Sequence, residues 1–141
     1  MAGINYGRVA LGAVAGGVVA NACDAFIGLF VIGDEMQQMV QRLNLDPHVL
    51  ENSNVVVTWI IADFLYAGLI VWAYAAIRPR FGAGPKTALM AAFVPYASVT
   101  VILAGFMAMG IFTPSVYWKN AMLSVVTAAL VGLVGGKIYK E

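Results

Sequence analysis

Four apolar segments of this chain are each long enough to cross a lipid bilayer as an α-helix. The hydrocarbon core of a bilayer is about 30 Å thick and a helix rises about 1.5 Å per residue, so one crossing needs roughly 20 apolar residues. The segments run from about 6 to 32, 54 to 77, 86 to 109 and 118 to 139. We therefore predict one all-α transmembrane domain, residues 1–141, folded as a four-helix bundle.

Composition and charge exclude several classes of protein. The chain is 62% hydrophobic and only 11% charged, which is outside the range of soluble globular domains. Its net charge is +1 and it has no basic stripe, so nucleic acid is excluded as a partner. Cys23 is the single cysteine, and an intrachain disulfide is therefore excluded as well.

Local signals mark several ends of the predicted helices. Asn5 can cap the first helix, and Gly33 breaks it. The second helix is expected to stop at 78–80, Arg-Pro-Arg, because proline lacks an amide hydrogen and disfavours helix in the residue before it. Thr113 as a cap and Pro114 at the first helical position precede the fourth span.

The distribution of lysine and arginine predicts the orientation of the bundle. Basic residues prefer the cytoplasmic side of a membrane. Six of the eight lie in the terminal segments or in the second loop, and only two elsewhere. The six are Arg8, Arg78, Arg80, Lys86, Lys137 and Lys140. We therefore expect both termini and the second loop to be cytoplasmic, and the first loop to face outside.

The first loop contains the pattern of a short amphipathic helix. Met36, Met39, Val40 and Leu43 recur at i, i+3, i+4 and i+7, which places them on one helical face. Two interpretations remain open. The apolar face either covers its own bundle, or it is turned outward, where it lies on the membrane surface or contacts a partner subunit; methionine suits both outward roles.

Polar residues at matching depths predict a layer near the middle of the membrane. Asp24 and Asp63 are the only acids inside the predicted spans, and each lies nine residues from the outer end of its helix. Thr100 and Thr127 lie at the same count in the third and fourth spans, and Asn21 is one turn from Asp24. Tyr66 and Tyr96 are within a turn or two of this layer. In one interpretation the layer binds a proton or a cation; in the other it joins helices through hydrogen bonds.

Small residues mark helix faces that allow close approach. Gly12 and Gly16 are spaced by four in the first span, and Gly132 and Gly136 by four in the fourth. Such spacing is typical of tightly packed transmembrane helices. The contact is expected within one bundle, with a contact between subunits as the alternative.

Motifs for catalysis and for metal binding are weak or missing. Asp46, His48 and Glu51 could suggest a metal site, but one histidine in a polar loop is a poor indication. The sequence contains no nucleophile with a base, no phosphate-binding loop and no zinc motif. We therefore expect no enzymatic activity, and no motif identifies a cofactor.

One segment carries a resemblance to known proteins. Asp63-Phe64 and the stretch 72–87, WAYAAIRPRFGAGPKT, resemble a segment of small uncharacterised bacterial membrane proteins with four predicted spans. The chain is also loosely similar to the small multidrug resistance transporters, which have four spans and an acid in the first helix. These resemblances imply a multi-pass protein of the bacterial inner membrane. They do not indicate a function for the quoted residues.

Two functions fit these patterns. The first is a non-enzymatic subunit or accessory of a larger membrane complex, with lipids and other membrane subunits or further copies of the chain as partners. The second is a small oligomeric transporter or channel coupled to protons or cations, with Asp24 and Asp63 as its site.

Overall fold

A computed structural model describes residues 3–140 and is all-helical over that range, with five α-helices. They are α1, Tyr6–Phe30; α2, Gly33–Arg42; α3, Ser53–Phe81; α4, Pro85–Ala108; and α5, Pro114–Ile138. A single 3₁₀ turn, Val49–Glu51, precedes α3. The four longer helices are long and apolar enough to cross a membrane, so the chain is a multi-pass membrane protein. The predicted four-helix bundle with a short amphipathic helix in its first loop is confirmed.

The predicted caps of α1 and α5 are confirmed. The Asn5 side chain accepts a hydrogen bond from the Arg8 amide at 3.1 Å, which satisfies one of the free amides at the helix start. Thr113 accepts from the Val116 amide at 3.3 Å in the same way, with Pro114 at the first helical position. These short-range signals therefore determine where two membrane-spanning helices begin.

Two helix ends differ from the prediction. α3 does not stop at Arg78 but continues through Pro79 to Phe81. Pro79 lies in the last turn and cannot donate to the Ala75 carbonyl, yet two more helical residues follow it; Gly82 then ends the helix with a positive φ of 82° while its amide bonds to the Arg78 carbonyl. α1 ends at Phe30 rather than at Ile32, and Gly33, the predicted break, is the first residue of α2.

The four spanning helices pack in the order α1, α3, α4, α5 around a square. α1 contacts α3 and α5, α4 contacts the same two helices from the other side, and α3 also contacts α5 across the diagonal. α1 and α4 therefore occupy the remaining diagonal. This arrangement places α3 and α5 at the centre of the packing.

Both chain termini and the α3–α4 turn lie at one end of the bundle, here called the terminal end. The Asn5 amide donates to the Tyr139 hydroxyl at 3.2 Å, which joins the two termini. The Tyr139 ring packs edge-on against Tyr74 and lies under the Arg78 guanidinium, 5.6 Å from the ring centre. The opposite end, which carries α2 and the α4–α5 loop, is called the α2 end.

The half of the bundle near the terminal end is closely packed through glycines. A Cβ added at Gly12 would lie 2.9 Å from a Val71 methyl, and one at Gly16 would lie 3.2 Å from the Ala67 Cβ. A Cβ at Gly132 would lie 2.8 Å from the Ala88 carbonyl oxygen, and at Gly136 3.0 Å from the Ala88 Cβ. All four predicted packing glycines therefore lie at contacts between helices of the same bundle.

The half near the α2 end is packed differently. No residue of 53–66 in α3 or of 93–108 in α4 is buried. The buried residues of this half belong instead to the α1 and α5 side and to α2, among them Ile27, Val40 and Tyr117. α3 and α4 therefore present most of their surface here to whatever surrounds the bundle.

α2 is held against the α5 side of the bundle by polar contacts. Glu35 forms an ion pair with Lys119 and accepts a hydrogen bond from the Ser115 hydroxyl at 3.2 Å. Arg42 donates to the Ile111 carbonyl at 2.6 Å. The hydrogen bond and charge of Lys119 lower the pKa of the Glu35 carboxyl, so this ion pair persists at neutral pH.

The apolar face of α2 is turned mainly toward its own chain. Val40 is 1% exposed, Met36 and Met39 are half-buried, and Leu43 is 38% exposed. A partner that contacted this face would therefore touch Leu43 and the edges of the two methionines, while Val40 is enclosed.

Candidate functional site

The two acids of the spanning helices approach each other. Asp24 in α1 and Asp63 in α3 are close enough for their carboxylates to interact electrostatically. They come from adjacent helices, and no lysine or arginine occupies the middle of any described span. The two carboxyl groups are therefore neighbours without a basic partner between the helices.

A buried hydroxyl of α5 joins this pair. Thr127 is only 4% exposed, and its hydroxyl lies within reach of the Asp24 carboxylate. Because threonine can donate its hydroxyl proton, it is able to satisfy one carboxylate oxygen from the interior of the bundle. Asp24, Asp63 and Thr127 are called the carboxylate cluster below.

Tyrosines of α3 and α4 border the cluster. Tyr66 lies near both Asp24 and Tyr96, and it follows Asp63 by three residues, on the same side of α3. The Tyr96 hydroxyl donates to the Ala121 carbonyl of α5 at 2.9 Å. Tyr66 is therefore a closer member of the site than the sequence analysis expected, and the three-residue spacing is the signal that identifies it.

Asn21 supports the site through the backbone. Its side-chain amide donates to the Gly17 carbonyl at 2.9 Å within α1 and to the Ile60 carbonyl of α3 at 3.4 Å. Gly17 allows this approach, because the Phe64 ring occupies the space that a Cβ would fill. Asn21 therefore joins α1 to α3 one turn from Asp24.

Thr100 is not brought to the cluster. Its hydroxyl donates to the Tyr96 carbonyl at 2.9 Å within α4, and its own carbonyl accepts from Tyr117 of α5 at 3.5 Å. Gly132 of α5 packs against both Ala88 and Ala92 of α4, so Thr100 is level with about residue 122 of α5, roughly 7 Å along the helix from Thr127. The count from helix ends took Trp118 as the start of the fourth span, whereas α5 starts at Pro114.

The carboxylate cluster is accessible from outside the bundle. Asp24 is exposed and Asp63 is half-buried, whereas Thr127 is enclosed. Within residues 3–140 no group donates a hydrogen bond to the Asp63 carboxylate. The cluster therefore extends from the bundle interior to its surface. The Asp63 carboxylate remains available to accept a hydrogen bond.

The loop residues that suggested a metal site have structural roles instead. The Asp46 carboxylate accepts from the His48 amide at 2.8 Å, which fixes the turn before α3. His48 and Glu51 are 3.5 Å apart, and their side chains are 82% and 74% exposed. Among the residues of the described range 3–140, no three or more His, Cys, Asp or Glu side chains are grouped to hold a metal ion.

Comparison of the chain with protein-family models, with curated proteins and with solved structures found no match. The chemistry of the cluster therefore follows from its own residues. Two carboxylates in an apolar region attract a proton, a cation or a hydrogen-bond donor, since an isolated pair of negative charges is costly there. The unsatisfied acceptor at Asp63 and the exposure of Asp24 allow that donor to come from another molecule.

Proposed function

We propose that this chain is a non-enzymatic subunit of a larger membrane assembly, which it joins through the α2 half of α1, α3 and α4. In this proposal the carboxylate cluster receives a hydrogen-bond donor or a cationic side chain from another chain. The chain then acts as a small structural or accessory component. Its partners are membrane subunits or further copies of itself.

The exposure of Asp24 within a spanning helix is the observation that carries this proposal. Asp24 lies six residues, about 9 Å, before the end of α1, and a carboxylate inside the span is costly unless protein, water or a cation covers it. On the surrounding surface, no residue of 53–66 in α3 or of 93–108 in α4 is fully buried within the chain. A second chain on this surface covers both the polar cluster and the apolar side chains around it.

The positions of the basic residues support a location in the bacterial inner membrane with both termini in the cytoplasm. Six of the eight lysines and arginines lie at the terminal end, and no acid of residues 3–140 lies there. The four acids Asp34, Glu35, Asp46 and Glu51 all lie at the α2 end. Since basic residues are retained in the cytoplasm, this distribution favours a single orientation.

A second candidate function is a small oligomeric transporter or channel coupled to protons or cations. The proximity of Asp24 and Asp63, without a basic residue in mid-span, favours this alternative. A cation held between two carboxylates and released to either side is a common transport mechanism in membrane proteins. Asp24 and Asp63 would bind the ion, with Thr127 holding Asp24 in place.

Extraction of native membranes in a mild detergent tests the first function. The wild-type chain, 14.9 kDa, is expected to migrate as part of a much larger complex. Asp63→Asn removes one charge and replaces one acceptor oxygen by an amide donor, and should lower recovery of that complex roughly tenfold. Asp34→Asn is the matched control, because Asp34 is an exposed acid outside the spans and its change should leave recovery unaltered.

Migration of the wild-type chain alone under these conditions would contradict the subunit proposal. Equal recovery from Asp63→Asn and Asp34→Asn would contradict the role of the cluster in it. Proton or cation flux into liposomes containing only this chain, lost in Asp63→Asn, would instead establish the transporter alternative.

A further inference from the structure

A groove follows the contact between α4 and α5 on the outside of the bundle. Its volume is about 200 Å³, and its lining includes Leu89, Phe93 and Tyr96 of α4 with Val125 and Ala129 of α5. The Tyr96 hydroxyl is turned into α5, where it donates to the Ala121 carbonyl. The groove therefore presents ring faces and aliphatic groups, a surface suited to a hydrocarbon chain.

Two lysines stand at the end of this groove that is nearest the terminal end. Lys86 is in the first turn of α4, three residues before Leu89. Lys137 is in the last turn of α5, and Leu133 and Ala129 precede it at intervals of four, so all three lie on one helical face. Both lysines are exposed, and neither forms an ion pair with any residue of 3–140.

The geometry points to a binding site for one anionic phospholipid between α4 and α5. The phosphate headgroup would lie between Lys86 and Lys137, and one acyl chain would lie along the groove toward Phe93 and Val125. This occupant is favoured because it alone supplies a negative charge at the level of the lysines and hydrocarbon at the level of the groove. None of the three carboxylate-cluster residues lines the groove, and because the test below uses the purified chain, its outcome does not depend on the proposed assembly.

Native mass spectrometry of the purified protein with phosphatidylglycerol tests this site, with phosphatidylcholine as the zwitterionic comparison. The wild type should retain one phosphatidylglycerol in preference to phosphatidylcholine. Lys86→Gln and Lys137→Gln should each weaken that retention about fivefold, the effect of one cation near an anionic headgroup. Arg8→Gln is the matched control, since it removes one cation from α1, which lies diagonally opposite α4 and lines no part of the groove, and should leave retention unchanged.

A groove variant separates specific binding from general attraction to the basic end. Ala129→Leu keeps every charge but fills the groove, and is expected to reduce phosphatidylglycerol retention as strongly as either lysine variant. Unchanged retention in Ala129→Leu, equal loss in Arg8→Gln, or equal retention of phosphatidylcholine would each overturn the site. Displacement of the lipid by soluble glycerol phosphate at a similar concentration would show that the lysines bind free phosphate, and would also overturn the phospholipid site.

Discussion

Replacing Gly132 by leucine is expected to lower the free energy of unfolding by about 3 kcal/mol, the upper part of the range for overpacking a tight contact. Even a Cβ at this position would lie 2.8 Å from the Ala88 carbonyl oxygen and 2.9 Å from the Ala92 Cβ. The nearest atom belongs to the backbone, so the strain is relieved only if α5 moves away from α4. Such a movement would also open the buried contacts of Ala128 and Val131.

Reversible unfolding in mixed micelles, followed by circular dichroism, measures this effect. Gly105→Leu is the matched control, because Gly105 is also helical and no atom lies within 4 Å of an added Cβ. The control should change stability by no more than about 0.5 kcal/mol, as is usual for a surface substitution. Equal destabilisation by both substitutions would show that the close approach of α4 and α5 makes no special contribution to the free energy of unfolding.

Replacing Asp63 by leucine is expected to stabilise the isolated bundle by about 1 to 2 kcal/mol, because apolar residues often replace buried charges with a gain in stability. The substitution removes a carboxylate that faces Asp24 and receives no hydrogen bond from residues 3–140. Recovery of the proposed larger complex from native membranes should be lost at the same time, since the cluster then lacks its free acceptor. Stability and function would thus change in opposite directions.

Asp24→Leu distinguishes the two interpretations of the cluster. Asp24 is the carboxylate within reach of the Thr127 hydroxyl, so its loss leaves that buried hydroxyl to find another acceptor, and stability should fall or stay level. The same unfolding assay measures both variants. If Asp63→Leu also destabilises the bundle, the carboxylates serve to join helices, and the role proposed for the free acceptor is contradicted.

Much of the fold could be predicted from the sequence because its determinants are local. The length of each apolar segment sets the number of helices, and the caps at Asn5 and Thr113 involve residues three positions apart. The end of α3 was misplaced because the effect of Pro79 depends on its position within the helix. A proline in the last turn leaves the helix intact, and Gly82 determines where it ends.

The candidate site was predicted less completely, because it depends on how the helices are placed against each other. Counting residues brought Asp24 and Asp63 together, and close packing at Gly16 and Gly17 holds α1 against α3 at a similar level. The same count placed Thr100 level with Thr127 because it took Trp118 as the start of the fourth span, whereas α5 starts four residues earlier, at Pro114. A single sequence gives no direct measure of the level at which two helices face each other.

The docking of α2 shows a further limit of sequence patterns. The spacing of its apolar residues predicts a helix with one apolar face, but it does not say which surface that face covers. Contacts with residues far along the chain decide this. Glu35 reaches Ser115 and Lys119, and Arg42 reaches the Ile111 carbonyl.

Labelling of single cysteines from the two sides of sealed membrane vesicles tests most directly whether the bundle spans the membrane as described. In a Cys23→Ala background, Ala83→Cys and Lys140→Cys report the terminal end, and His48→Cys and Met109→Cys report the α2 end; all four positions are exposed. A membrane-impermeant maleimide should label the first two only from the cytoplasmic side and the last two only from the other side. Labelling of Ala83→Cys and Lys140→Cys from opposite sides, or of all four from one side, would contradict the four-span bundle.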